Sequence, residues 1–261
     1  AYKDKNALWV FADGGKADAS HSHIDSGSFL FTLDGYQWAT DLGTENAYYS
    51  RSGGNFAVAA GYTNNDYYRR KAEGHNCVVI NPDKNIEMDK NADTKLIKPV
   101  SGIGRAYSYA DLTDAYTSDR VNKYLRGYLL SEGRRSFTVR DEIDLAKADS
   151  EVWWFMNTDG TIQIVDNNTA IISNGNKQLK MQFVIEGENP TYELISMPKK
   201  RLIDLGFAET VNSGEKIALK LKASGKLNIT VKMAMIGDPQ SSTPVETTPI
   251  AEWTAEGDDT I

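Results

Sequence analysis

His21-Ser22-His23-Ile24-Asp25-Ser26-Gly27-Ser28-Phe29-Leu30-Phe31-Thr32-Leu33-Asp34-Gly35-Tyr36-Gln37-Trp38-Ala39-Thr40-Asp41 is the stretch on which the fold turns. Asp34-Gly35 stands between two runs of alternating apolar and polar residues. That pattern predicts a β-hairpin closed by a type I′ turn. In this register Leu33 opposes Tyr36, Phe31 opposes Trp38 and Phe29 opposes Thr40. One face then carries Phe29, Phe31, Leu33, Tyr36 and Trp38, a core face. Asp41 points away from it. His21 and His23, two apart, share a face with each other. A straight strand would send His23 and Asp41 to opposite sides. If they meet, the strand must break or bulge near Ser26-Gly27.

The chain has 261 residues and 3 histidines, and all of these lie in or near this segment: His21, His23 and His75. A His-x-His followed by Asp and a further His offers a mixed nitrogen and oxygen donor set suited to zinc. The competing reading is of isolated polar residues on loops.

His21-Ser22-His23-Ile24-Asp25-Ser26-Gly27-Ser28-Phe29 resembles the His-x-His-x-Asp-x-Gly-Ser-Phe signature of heparinase II/III-type polysaccharide lyases. Asp41-Leu42-Gly43 resembles that family's following Asp-x-Gly. Residues 68–81, Tyr68-Arg69-Arg70-Lys71-Ala72-Glu73-Gly74-His75-Asn76-Cys77-Val78-Val79-Ile80-Asn81, are similar to its next block. The resemblance covers about residues 8–81. It implies a zinc held by His23, Asp41 and His75, with His21 facing the substrate as the catalytic candidate.

Working outward, Ala7-Leu8-Trp9-Val10-Phe11 reads as a buried strand, and residues 16–26 as the polar loop that delivers the histidines. Residues 43–70 are rich in Gly, Asn and Tyr and lack strand alternation; long loops of this kind are often functional. Tyr48, Tyr49, Arg51, Tyr68 and Arg70 are the candidates there for substrate binding. Tyrosines stack on sugar rings and arginines fork onto carboxylates and sulfates. The bland reading is a solvated loop with packing tyrosines. Cys77 reads as a small core residue, and residues 83–95 as a charged surface excursion.

From Ile103 the chain is strand material, over 103–110, 121–131, 134–145, 151–156, 161–165, 169–173, 178–185, 191–196, 207–211, 215–222 and 226–236. Turns are marked at Glu132-Gly133, Asn174-Gly175 and Ser224-Gly225. No long amphipathic helix appears. The expectation is an all-β domain over 1–236, a large antiparallel β-sandwich of two packed sheets. Arg126, Arg134, Arg135 and Arg140 read as strand-face charges that keep the sheet soluble, with a basic cleft as the sharper alternative. Trp153-Trp154-Phe155 reads as core. Residues 237–261 hold six acidic and no basic side chains with three prolines, and are expected to lie extended on the surface or partly disordered.

The net charge of −7 argues against general nucleic-acid affinity. No apolar run reaches membrane-span length. The single cysteine forbids an intrachain disulfide, which suits the cytosol and a bacterial periplasm equally. With the resemblance, the expected setting is periplasmic or secreted.

In the resembled family such a sandwich follows an N-terminal helical toroid, and the cleft lies between them. The chain is therefore expected to be a C-terminal part of a lyase or an isolated module. The implied reaction is β-elimination at a uronic acid, on heparin-like, heparan-like or alginate-like glycosaminoglycan or uronate polymers. The toroid, in cis or on another chain, would supply further groups. The other readings are a non-catalytic carbohydrate-binding sandwich with a structural zinc, and a cupin-like zinc hydrolase using Glu73 as base.

Overall fold

A computed structural model of the chain describes residues 4–17, 22–49, 54–85, 87–97 and 99–255. Asp34 and Gly35 both take positive φ, 54° and 82°, so the expected I′ turn closes the hairpin of β2 (Phe29–Leu33) and β3 (Tyr36–Ala39). Leu33 pairs with Tyr36 and Thr32 with Gln37, but Phe31 pairs with Ala39. The register slips by one at Trp38, where a partner for Phe31 was expected. The indole turns inward and its Nε1 donates to Leu33 O at 3.0 Å. Because side chains alternate with period two, this slip reverses the face of every residue beyond it. Asp41 thereby turns back toward His75. The break expected near Ser26-Gly27 is also present: residues 22–28 are loop and turn, and strand begins at Phe29.

A third strand, β1 (Trp9–Ala12), pairs with β2 to complete a three-stranded sheet, β1-β2-β3. Val10 and Ala12 face inward, whereas Trp9 and Phe11 are about half exposed, so the strand is not buried as its composition suggests.

The remaining strands are β4 (Val78–Ile80), β5 (Val100–Ser101), β6 (Ala106–Asp111), β7 (Val121–Ser131), β8 (Ser136–Leu145), β9 (Ser150–Asn157), β10 (Thr161–Asp166), β11 (Thr169–Asn174), β12 (Lys177–Gly187), β13 (Thr191–Pro198), β14 (Glu215–Ala223) and β15 (Lys226–Met235). They form an eight-stranded sheet, β10-β11-β12-β15-β8-β7-β6-β5, and a four-stranded one, β13-β14-β9-β4. Every pairing is antiparallel. The chain is thus an antiparallel β-sandwich with a small additional sheet, rather than two sheets alone. The stretch 207–211, expected as strand, is irregular.

Trp154 shows how the sheets share one core. It is fully buried on β9, packs edge-on against Phe183 of β12 at 5.8 Å, and touches Phe29 of β2 at 6.2 Å. Its Nε1 donates to Asp141 of β8 at 3.1 Å. Burying rings of this size stabilises each by roughly 2–3 kcal/mol or more. Trp153 and Phe155 are buried too, as expected.

Two expectations are corrected and a third is refined. Arg126 and Arg140 are not solubilising surface charges: they are 0% and 2% exposed and pair with Asp141 and with Glu142 and Glu186 respectively. Within 83–95, Glu87 is buried and pairs with buried Lys71 at 2.8 Å, so that excursion packs into the domain. Residues 237–255 are docked across the eight-stranded sheet, with Ile250 and Trp253 buried on Leu129. Arg105 clamps Glu246, and Ile250 N donates to Glu142.

Candidate functional site

His75 follows a 3-10 turn at Ala72–Gly74 and precedes β4, which runs into the core. Its ring is 1% exposed. Nε2 lies 3.0 Å from Arg69 O and 3.2 Å from His23 Nδ1. Nδ1 faces two carboxylates, with Asp41 Oδ2 at 2.8 Å and Asp25 Oδ2 at 3.5 Å. The Asp41 contact is close but off the hydrogen-bond line, so among the described residues this buried nitrogen has no aligned partner.

Two tethers bring the His23 loop to this ring. Ile24 N donates to Arg70 O at 2.7 Å, and Arg70 Nη2 donates to Ser22 O at 3.2 Å. Gly27 then turns the chain with φ of +85°, and a Cβ there would meet Leu112 at 2.6 Å. The Gly27 carbonyl accepts from Arg126 Nη1 at 2.9 Å and from Tyr128 Oη at 2.7 Å. The same Nη1 donates to Asn76 O at 2.8 Å. Asn76 Nδ2 in turn donates to Phe29 O and Thr40 O, fixing the chain on either side of the site.

The electrostatics follow from this crowding. Burial works to lower the His75 pKa, but the Asp25 charge, the Asp41 carboxylate and the Arg69 carbonyl outweigh it and raise it to about 9. Asp41 moves the other way: burial disfavours its charge, yet His75 and the Gly43 N–H hold it at about 2. His23 is pushed down by burial and by the neighbouring imidazole. Asp13, at the edge of the same pocket, rises to about 6 through burial and the Asp25 charge.

Asp13, His23, Asp25 and Asp41 line an open pocket of about 540 Å³, together with Phe11, Lys16 and Leu30, and His75 is buried against them. Ligand atoms of His23, Asp25 and His75 all lie within 4.8 Å of one another. Two imidazoles whose ring nitrogens approach to 3.2 Å, with a carboxylate in the same cluster, are a donor set whose chemistry fits a small divalent cation.

The expected residues divide as follows. His23, Asp41 and His75 come together, with Asp41 against His75 and Asp25 in the tighter cluster. Asp25 stood in the quoted motif without a role. His21, Arg51 and the Tyr49 side chain lie outside the described residues. Tyr48 is half-buried against Phe56 at 5.3 Å. Arg70 braces the His23 loop. Tyr68 corrects its expectation: the ring is 1% exposed and faces Lys216 Nζ at 5.2 Å, leaving no face open for a sugar. Among the described residues, none of these three lines the pocket. Glu73 is buried and accepts from Leu202 N, which removes it as a base in the pocket.

Sequence reasoning missed Arg126 and Asn76 as supports, since an arginine on a strand carries no mark of its distant partners. It also missed the excursion 199–214. This segment braces the long loop through Tyr68 N to Glu209 at 2.6 Å, Arg69 Nε to Asn212 at 2.8 Å and Thr210 N to Glu45 at 3.0 Å.

The comparisons agree with this architecture. No curated protein sequence matches significantly. A crystal structure of heparinase III superposes with a TM-score of 0.62 at 16% identity, covering 92% of this chain and 37% of that one. The heparan sulfate lyase HepC from Pedobacter heparinus gives 0.62 at 13% identity, covering 89% and 33%. At these identities the likeness shows the fold, and the chain spans about a third of those proteins. The family described as heparinase II/III-like, C-terminal, matches residues 2–238, and the chain belongs to it.

Proposed function

We propose that this chain is the β-sandwich part of a lyase that cleaves uronic-acid-containing polysaccharides by β-elimination, with zinc held by His23, His75 and the Asp25–Asp41 carboxylate pair. The observation that carries this reading is the convergence of those four side chains in a heparinase-type sandwich, with His23, Asp25 and Asp41 on the wall of one pocket and His75 buried against them. β-Elimination sets three tasks: neutralising the uronate carboxylate, removing the weakly acidic C5 proton and protonating the leaving O4. His21, two residues before His23, is the candidate for acting on substrate directly. When bound, zinc would add fixed positive charge and hold the 22–28 and 75–77 segments together. The Arg126 bridge orients those segments whether or not the ion is present.

The remaining groups belong to a helical portion that forms the facing wall, in cis or as a partner chain. The expected setting, periplasmic or secreted, goes with an extracellular polymer as substrate. A second reading, a carbohydrate-binding sandwich without turnover, has one observation in its favour: among the described residues the pocket lining holds no tyrosine hydroxyl placed to protonate a leaving O4.

The test is incubation of the longest natural form of the protein with heparan sulfate, heparin and alginate, following the ultraviolet absorbance of unsaturated uronate ends. Product formation that stops on chelation and returns with zinc supports the lyase reading. Binding without product supports the second one.

A further inference from the structure

Trp9 and Phe11 are the exposed pair on β1, 52% and 47% accessible. They stand two apart on one face of the strand, with ring centroids 6.4 Å apart and planes within 22° of parallel. Their neighbours Val10 and Ala12 pack against the core, so β1 is anchored from the other side and needs neither ring for its own burial. β1 is also the edge of its sheet. Edges are usually protected by charge or proline, because exposed apolar edges invite association. Two large aromatics with nearly parallel, offset rings at such a place leave about half of each side chain as exposed apolar surface.

The surface is not isolated. Phe11 lies on the pocket wall with Asp13, His23 and Asp25, and its cross-strand partner Leu30 lines the same wall. Trp9 pairs with Thr32, one step farther from the pocket. The two rings therefore make a strip that leads out of the pocket along the strand. A pyranose ring carries axial C–H groups on its face, and these meet the electron-rich face of an aromatic ring favourably. A polymer chain needs contacts beyond the sugar being cleaved, and remote contacts hold it in register at the reacting centre.

We propose that Trp9 and Phe11 are an aromatic platform on which sugar rings of a uronate-containing oligosaccharide stack as it leaves the pocket. This rests on the carbohydrate reading above and adds to it a named subsite outside the cluster of histidines and carboxylates. The ring pair offers aromatic faces and no charge, so it serves sulfated and unsulfated sugars alike.

Trp9 offers its own signal. The other four tryptophans, Trp38, Trp153, Trp154 and Trp253, are 0–7% exposed. Collisional quenching by acrylamide therefore reports on Trp9. The probes are heparan sulfate oligosaccharides of increasing length, with affinity measured by calorimetry on the 261-residue chain and its variants. Wild-type protein should bind them, lose acrylamide quenching on binding, and gain affinity with length until the strip is covered. Trp9→Leu and Phe11→Leu keep apolar bulk but remove the flat face. Each should weaken binding about tenfold, the factor set by 1.4 kcal/mol, with zinc content and thermal midpoint unchanged. Trp9→Phe should retain most of the affinity.

Undiminished binding in the leucine variants, or binding without protection of Trp9, overturns the platform and leaves the lyase reading standing. Absence of oligosaccharide binding by the wild-type chain overturns the platform, and the lyase reading is overturned separately, by absence of product from the longest natural form. Shielding of Trp9 in free protein that self-associates would make the strip a protein interface, and overturns the platform too.

Discussion

Arg126 and Asp141 meet as a fully buried ion pair, Nε to Oδ1 at 2.6 Å and Nη2 to Oδ2 at 3.1 Å, on neighbouring strands of the eight-stranded sheet. The guanidinium does more than pair. Its Nη1 donates to Gly27 O and Asn76 O, the two chain segments that carry His23, Asp25 and His75. The cost of dehydrating both charges is offset only because their hydrogen bonds are met.

Removing one partner leaves the other charge buried and unmatched. Arg126→Met should therefore cost about 3–5 kcal/mol of folding stability, read from urea denaturation. In the fraction that folds, zinc affinity should fall as well, since both loops lose a tether. Arg126→Lys should restore part of the stability but not the affinity, because an ammonium cannot reach Asp141 and both carbonyls with a planar fork. Unchanged zinc affinity in either variant would confine Arg126 to the core.

Metal removal gives a second outcome. A ligating histidine must be neutral, and in the metal-free protein the Asp25 and Asp41 carboxylates hold a proton on His75 up to about pH 9 despite its burial. Zinc binding should thus release a proton, and its apparent affinity should rise as pH increases toward 9. Chelator should lower the melting temperature of the wild type. His75→Ala should melt at the same temperature with and without chelator. Calorimetry in buffers of different ionisation enthalpy measures the proton directly.

Lys216 supplies a pH dependence independent of any metal. Its Nζ is buried 3.5 Å over the Phe155 ring and donates to Glu73 O at 2.9 Å. Burial pushes its pKa down from 10.5 to about 7, against the opposing charges of Glu73 and Glu87. Between those values the unfolded chain binds the proton and the folded chain does not. Stability from this group therefore rises with pH from about 7 to 10.5 and is lost as pH falls through 7. The buried Glu73 carboxyl, raised by burial, works in the opposite sense, so the comparison is wild type against Lys216→Met across that window. The variant should show the flatter rise.

The docked C-terminal segment can be tested at one glycine. A Cβ at Gly127 would sit 2.4 and 2.5 Å from ring atoms of Trp253 and 3.0 Å from Ile250. Gly127→Ala should lift the segment from the sheet, and Trp253→Ala should cost about 3 kcal/mol. Faster proteolysis after residue 237 is the readout. Cleavage no faster than in wild type would show that the segment is held elsewhere.

How far the sequence reaches is clearest at particular residues. The Asp34-Gly35 turn is legible because turn chemistry is local, whereas the grouping of His23, Asp41 and His75 is implied by the family resemblance and not by spacing. The slip at Trp38 is not, because it depends on where an indole finds room in a core made by distant strands. Arg126 is opaque for the same reason: its partners Gly27 and Asn76 lie 99 and 50 residues away. The docking of Trp253 was hidden by composition, since an acidic, proline-bearing segment looks solvated until its few apolar side chains meet a complementary face. The 199–214 brace rests on long-range pairings of the same kind.

Among the described residues the pocket wall carries one imidazole at its surface, His23, and it sits against His75. His21 stands beside it in sequence, but one further group cannot hold a polymer, take the C5 proton and protonate O4 in turn. Much of the barrier in such a reaction is met by holding substrate between prepared groups, and a pocket open on one side does that poorly. The 261-residue chain should therefore bind zinc and oligosaccharide yet form little or no unsaturated product. Joined to a helical portion, in cis or as a partner chain, it should turn over. In that complete enzyme His21→Ala should lower kcat by about 100-fold or more, the usual contribution of a proton-transfer group, with zinc still bound. Full activity of the isolated chain would refute the need for a second wall. An unaffected His21→Ala enzyme would take His21 out of the chemistry and leave this domain a binding and positioning role.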